Sequence, residues 1–442
     1  MEEKTCILGS GMTGLAAGFT SGLPIYEAEE FPGGICSSYF IRPGTRKRLQ
    51  IVPEDGDAYR FEIGGGHWIF GVDPAILRFI RSHIPLKCYK RKSGIYFFNQ
   101  NLYVPYPLQN HLSYFNEEIR INSLSEIVAK TKGNSKTMAN AMENNFGQTL
   151  TELFFGPFHE LYTGGLWKDI ASQDSYKSPL DLSLILRGAF GGTPQVGYNA
   201  VFVYPEEGLN VLAQRLAAQC KINYGKKVVQ IDVSRKEVFF ADGSGIRYET
   251  LISTFPLNRM LEMTRLEIDE KPAPYSSVLV LNIGAIKGSD CPDHHWLYVP
   301  DSKAGFHRIG FYNNVDVSFL PKSYQSEGTH VSLYIEKSYR GGCKPTEQEI
   351  KVYASAVVNE LLSCKFIKDV EVLDTTWIDI AYTWSYPDSG WKVKALELLK
   401  ENNIIMIGRY GRWEFQGILD SIKEGLLEGI VSTRNKKASI PV

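Results

Sequence analysis

Thr5-Cys6-Ile7-Leu8-Gly9-Ser10-Gly11-Met12-Thr13-Gly14 is followed by Leu15-Ala16-Ala17 and, after a break, by the apolar run Leu23 to Glu27, so the start of the chain reads strand, turn, helix, strand. Its three glycines stand at GxGxxG spacing: Gly9 makes the turn, Gly11 lets the backbone approach a diphosphate, and Gly14 lets the helix pack on the strand. Met12 and Thr13 then occupy the first helical turn. Its unpaired N–H groups and positive dipole end favour an anion by about 0.3–1 kcal/mol when exposed and more when partly buried. Glu27 ends the next strand, where a carboxylate accepts hydrogen bonds from ribose hydroxyls. Glycine turns are common. The strand before this one, the helix after it and the acid beyond make it a dinucleotide site.

Working outward, three further stretches favour FAD over NAD. Pro32-Gly33-Gly34 gives a second glycine-rich approach directly after Glu27, and Gly64-Gly65-Gly66-His67 brings bare backbone against a flat ring. Near the other end, Gly408-Arg409 follows an apolar run and Gln416-Gly417-Ile418 opens a helix, whose start can meet the negative charge on a reduced flavin's pyrimidine ring.

The chain's 442 residues exceed one ordinary core, so two or three packed units are expected. A charged fraction of 22% and a net charge of -1 exclude a global field for nucleic acid. The basic group Arg42, Arg46, Lys47 and Arg48 is expected to face Glu54, Asp55 and Asp57 across a hairpin. Seven scattered cysteines lack metal-pair spacing and read as free thiols of a reducing compartment; no metal site is expected. No apolar run reaches the roughly 18 residues of a membrane span, and a cytoplasmic protein is expected.

The pattern changes along the chain. Asp73-Pro74 starts a helix with Ile76, Phe79, Ile80 and Ile84 on one face, and Ser123 with Glu126 has capping-box spacing. Residues 112–187 read as largely helical, strands dominate from Ser277 to Glu336, and Ile418, Ile422, Leu426 and Ile430 mark a last helix. The expected class is α/β. A Rossmann-like FAD-binding domain is drawn from residues 1–84, 201–263 and 395–435, a strand-rich substrate domain from 85–111 and 264–394, and a helical subdomain from 112–200.

With these elements in place the sequence resembles the FAD-dependent amine oxidase and protoporphyrinogen oxidase superfamily, and within it the UDP-galactopyranose mutases of eukaryotic type. The resemblance spans nearly the whole chain. It is carried by Gly65-Gly66-His67-Trp68-Ile69-Phe70, by Val104-Pro105-Tyr106-Pro107-Leu108-Gln109-Asn110, by Trp296-Leu297-Tyr298-Val299-Pro300 with Phe306-His307-Arg308, and by Gly408-Arg409-Tyr410-Gly411-Arg412-Trp413.

The resemblance implies a mutase of a nucleotide sugar that exchanges pyranose and furanose forms, with N5 of reduced FAD attacking the anomeric carbon and NADPH or NADH as candidate reductants. It implies His67 against the flavin and Arg308 on the diphosphate. Phe70, Tyr106, Gln109, Asn199, Trp296, Tyr298 and Tyr386 are implied around the substrate, and Ala28 and Val228 are added to the cofactor contacts. Three departures touch the substrate side. In Phe155-Gly156-Pro157-Phe158-His159, where mutases carry arginine, tyrosine and asparagine, His159 replaces a substrate amide. The second diphosphate arginine has only Lys177 and Arg187 as candidates, and Phe415 replaces a tyrosine. The rival implication is an FAD oxidase or dehydrogenase of the amine oxidase or protoporphyrinogen oxidase type. The state of association is left open.

Overall fold

The apolar opening of the chain forms the strand Glu2–Leu8, and the helix Met12–Ser21 follows the glycine turn. The computed structural model describes residues 2–129, 135–172, 180–191 and 200–438. Glu2–Leu8 is the middle of five parallel strands in the order Lys221–Asn223, Pro24–Tyr26, Glu2–Leu8, Gly245–Ser253 and Ile404–Met406. Gly245–Ser253 also pairs antiparallel with Glu237–Phe240 through the turn at Asp242-Gly243, with Gly243 at φ 82°, and Glu237–Phe240 pairs in turn with Val228–Asp232. One Rossmann-like sheet is therefore made from three distant stretches of chain.

The last helix, Ile418–Ala438, packs along Met12–Ser21. Gly425 and Gly429 allow this: a Cβ on either would overlap the carbonyl oxygens of Thr13 and Ala17. Thr20 Oγ1 donates to Leu426 O at 3.1 Å, tying the two backbones together.

The second sheet has seven strands, in the order Ile367–Thr383, Tyr275–Lys287, His330–Arg340, Arg308–Phe311, Trp296–Tyr298, Ser93–Phe97 and Leu102–Pro105, and all but one of its pairings are antiparallel. Alternation along Tyr275–Lys287 separates its faces. Leu279, Leu281 and Ile283 pack under the helix Glu347–Ser363, while Val278 and Val280 join the core shared with the first sheet. From that inner face Asn282 Nδ2 donates to Tyr39 Oη and to the Glu62 carbonyl, at 2.8 and 3.0 Å.

The helical region contains Glu117–Val128, Met138–Leu150, Gly156–Thr163 and Leu182–Ala189. A single π turn, Thr151–Phe155, comes just before Pro157, which has no N–H to continue the ladder. The capping box expected at Ser123 and Glu126 does not form. Asn116 caps that helix instead, Ser123 lies inside it and donates to Ile119 O, and Glu126 accepts from Thr149 N and Oγ1. Asp73 does cap Pro74–His83, accepting from Ala75 N and Ile76 N.

Arg42 pairs with Asp55 at 2.8 Å across the expected turn, whereas Arg48 reaches Asp374 of the second sheet and lies over the Tyr39 ring. None of the seven cysteines is in a disulfide. No helix among the described residues is long and apolar enough to cross a membrane.

Candidate active site

A cavity of about 800 Å³ runs from the first glycine turn, between the two sheets, to the helical region. At its first end the walls are main chain. Gly9 takes φ 94°, and a Cβ there would overlap Thr254 Oγ1. A Cβ on Gly14 would overlap Gly9 O, so this glycine sets the approach of helix to strand. Gly11 is different: a Cβ there meets nothing within 4 Å and would project into the space a diphosphate needs. Gly33, at φ 110°, bridges to Gly11 and donates its N–H to Ser10 O at 2.9 Å, and Gly34 faces Gly11 from the other side.

Gly9, Gly11, Met12, Thr13, Glu27, Gly33 and Gly34 all line this end. Glu27 accepts from Ser10 N and Oγ, both at 2.6 Å, which fixes its carboxylate beside the turn. The residues thus fit a dinucleotide such as FAD: a groove of bare backbone, a ten-residue helix aimed at it, and an acid at its rim.

Midway, Gly64 and Gly66 line the wall, and a Cβ there would overlap the His67 ring at Gly64 and the Tyr334 hydroxyl at Gly66. Gly65 does not line the cavity; it takes φ 77° and backs onto Glu336. Burial pushes His67 down to about 4, assisted by Arg409 and Arg308 and opposed by Glu336, so it is a neutral imidazole. Its Nδ1 is buried without a hydrogen-bond partner. Gly408, at φ 79°, fits against Thr13. Arg409 donates to Gln416 O and Ala381 O, and Gly417 and Ile418 bring the start of the last helix to the same wall.

At the far end the walls are side chains. Arg308 lines the cavity and donates through Nη2 to both oxygens of Glu336, directly across the strand pair. Burial pushes Glu336 up, but Arg308 and His307 outweigh it and hold the carboxylate at about 2. Burial works against charge on Arg308 as well, yet Glu336 raises it well above its ordinary value. The pair is therefore ionised and compensated. Phe70, Trp296, Tyr298, Tyr106, Gln109 and His159 also line the cavity. The His159 ring is oriented by Nδ1 donating to Phe155 O at 2.6 Å.

Other expected residues fall elsewhere. Ala28 is exposed in the bend after Glu27, and Val228 is buried in the core with Cys6, Leu8 and Tyr26, away from the cavity wall. Tyr386 lies past the end of the strand Ile367–Thr383, with the Lys271 ammonium 3.9 Å from its ring centroid; the tyrosine that reaches the cavity from that strand is Tyr382. Arg187 is exposed on its helix, and Lys177 and Asn199 lie outside the described residues.

The basic residue that does line the far wall is Arg91, only 4% exposed, beside Tyr106 and Tyr298. Glu336, Tyr162, Tyr382 and Arg91 were not found from sequence. Glu336 is one acid in a strand, Tyr162 and Tyr382 are two of 24 tyrosines, and Arg91 stands between Lys90 and Lys92, with no spacing to mark any of them. Phe415 also lines the cavity, under the Arg409 guanidinium at 4.7 Å.

No family model matches the chain. Among solved structures, a reduced UDP-galactopyranose mutase aligns over 98% of this chain and 96% of its own, with a TM-score of 0.81 and 22% identity. A CLA-producing fatty acid isomerase from P. acnes aligns over 98% of each chain (TM-score 0.59, 14% identity), and a putrescine oxidase bound to putrescine over 99% of each (TM-score 0.58, 14% identity). The fold is the one that these three solved structures share. Within it the agreement with the mutase structure is tighter than with the other two.

Proposed function

We propose that the protein is a flavin-dependent mutase of a nucleotide-activated sugar, like UDP-galactopyranose mutase, exchanging the pyranose and furanose forms. The observation that carries this reading is one continuous cavity whose first end is a glycine-built groove and whose far end holds two guanidinium groups, the half-buried Arg308 and the buried Arg91. A diphosphate requires such donors, and an amine substrate does not. FAD would lie along Gly9, Gly11, Glu27 and Gly33 with its ring beside Gly66, His67 and Gly417. When bound and reduced it supplies a nucleophilic nitrogen for the anomeric carbon, with no net oxidation.

The chain's own residues position the sugar and steady the leaving group. The Arg308 guanidinium, whose Nε has no hydrogen-bond partner, turns to the diphosphate as negative charge develops there. Burial holds the Tyr162 and Tyr382 hydroxyls well above their ordinary values, so both stay protonated and can donate. Tyr106 and Gln109 hold the nucleotide end, and Phe70 and Trp296 exclude water from the sugar. A neutral His67 adds no charge beside the ring.

The test is anaerobic. Protein reduced with dithionite is mixed with UDP-galactopyranose and related nucleotide sugars, and products are separated by chromatography. Isomerised sugar is expected from reduced protein alone, without consumption of reductant. A second reading draws on the apolar wall of Met138, Met142, Phe146, Phe154 and Phe155. That wall suits an FAD oxidase or dehydrogenase acting on an apolar substrate, and turnover that tracks oxygen uptake would replace the mutase with it.

A further inference from the structure

We propose that His307 is a positioning residue that takes up a proton when an anion draws Arg308 away, and so replaces Arg308 as the partner of Glu336. This rests on the reading of Arg308 as the diphosphate anchor. The geometry is local and buried. His307 Nε2 lies 3.6 Å from Glu336 Oε2, with both side chains 2% exposed. Neither ring nitrogen of His307 has a hydrogen-bond partner, nor does Arg308 Nε. The His307 N–H donates to Glu336 O at 3.0 Å, so the two backbones cannot drift apart when the side chains exchange.

The charges around His307 are few. Arg308 is its neighbour in the chain, Glu336 faces it from His330–Arg340, and from the helix Gly156–Thr163 it meets Phe158 and Tyr162, the tyrosine ring at 5.4 Å. Glu336 is also faced by Tyr334, Tyr382 and His67. Burial lowers His307, against the pull of Glu336, so the imidazole is neutral while Arg308 holds the carboxylate. Arg308 and Glu336 then cancel, and an incoming anion meets no net charge from the pair. An anion that takes Arg308 leaves Glu336 buried and unpaired, which is strongly unfavourable. One proton from solvent on His307 Nε2 closes the gap: the imidazolium donates to Glu336, Arg308 holds the anion, and the cluster changes from neutral to a single positive charge.

The experiment is calorimetric titration of flavin-loaded protein with UDP, repeated in buffers of different ionisation enthalpy. At a pH of about 6.5 wild type is expected to take up close to one proton per UDP, and its affinity to weaken towards about tenfold per unit of rising pH. In His307→Gln and His307→Asn uptake should vanish and affinity become flat with pH, with the flavin spectrum and melting temperature reporting that each variant is folded. Glu336→Gln should also bind without uptake, having no carboxylate to compensate. Wild-type binding without uptake overturns the proposal whatever the variants do. Uptake that persists in both His307 variants also overturns it, assigning the proton to Glu336 or His67. Failure of UDP to bind wild type at any pH defeats the anchor reading of Arg308 itself.

Discussion

At its cradle end the cavity is walled by main chain, at Gly9, Gly11, Gly33 and Gly34, whereas at the far end the walls are side chains of Arg91, Tyr162, Arg308, Glu336 and Tyr382, delivered by separate elements. The cradle needs a few residues without side chains at fixed spacing in one stretch of chain, so its function survives any sequence that keeps them. The far wall needs several elements packed to within an ångström, and its polar groups are ionised or neutral according to their neighbours. The first is a property of backbone and the second of assembly.

The largest effect expected from testing this contrast comes at Arg308. Arg308→Ala leaves Glu336 buried without its guanidinium and should cost about 3–5 kcal/mol in denaturant unfolding. Arg308→Met with Glu336→Gln should regain most of that stability while UDP binding stays lost. If Arg308→Ala unfolds with wild type, the pair does not hold the far wall together. Next comes pH. Burial pushes His67, His111 and His295 down to about 4, whereas an unfolded histidine titrates near 6.5. The unfolded chain binds the extra protons in that window, so stability is present above about 6.5 and is lost as pH falls towards 4, by up to about 3 kcal/mol for each ring. Thermal melts across that range check the sign.

Smaller effects separate two glycines of the cradle. Gly14→Ala forces helix from strand and should cost about 1–3 kcal/mol. Gly11→Ala should unfold within about 0.5 kcal/mol of wild type, because its Cβ meets open space, yet bind FAD more weakly in a fluorescence titration. Equal effects at the two positions would break the distinction between packing and ligand space. Smallest is Asp73→Ala, away from both ends, at about 1 kcal/mol for a lost helix cap with no change in cofactor or nucleotide binding.

The same contrast explains what could be read in advance. The strand, turn and helix from Glu2 to Ser21 were legible because glycine spacing and apolar runs are local, and the strand-rich stretch from Ser277 and the cap at Asp73 were legible for the same reason. The Ser123 and Glu126 spacing misled because Asn116, seven residues earlier, had already started the helix. At the far wall Arg308, Tyr298 and Gln109 came only through resemblance. Glu336 could not be read at all: it is one acid in a strand of eleven residues, and its meaning depends on its register with Arg308, 28 residues away. Tyr386, expected around the substrate, lies past the strand's end at Thr383, whereas Tyr382 within that strand lines the cavity.

The clasp of the last helix on the first has a consequence for biosynthesis. A ribosome adds about 5–20 residues per second, so roughly 20–80 s separate emergence of the glycine turn from that of Gly417 and Gly425. For that interval the nascent groove lacks the strand Ile404–Met406 and the helix that covers Met12–Ser21. Closure of the groove thereby waits for synthesis of the helix Ile418–Ala438, and a product terminated before it would leave the ribosome with an open groove and an uncovered apolar helix, ready for chaperone or protease.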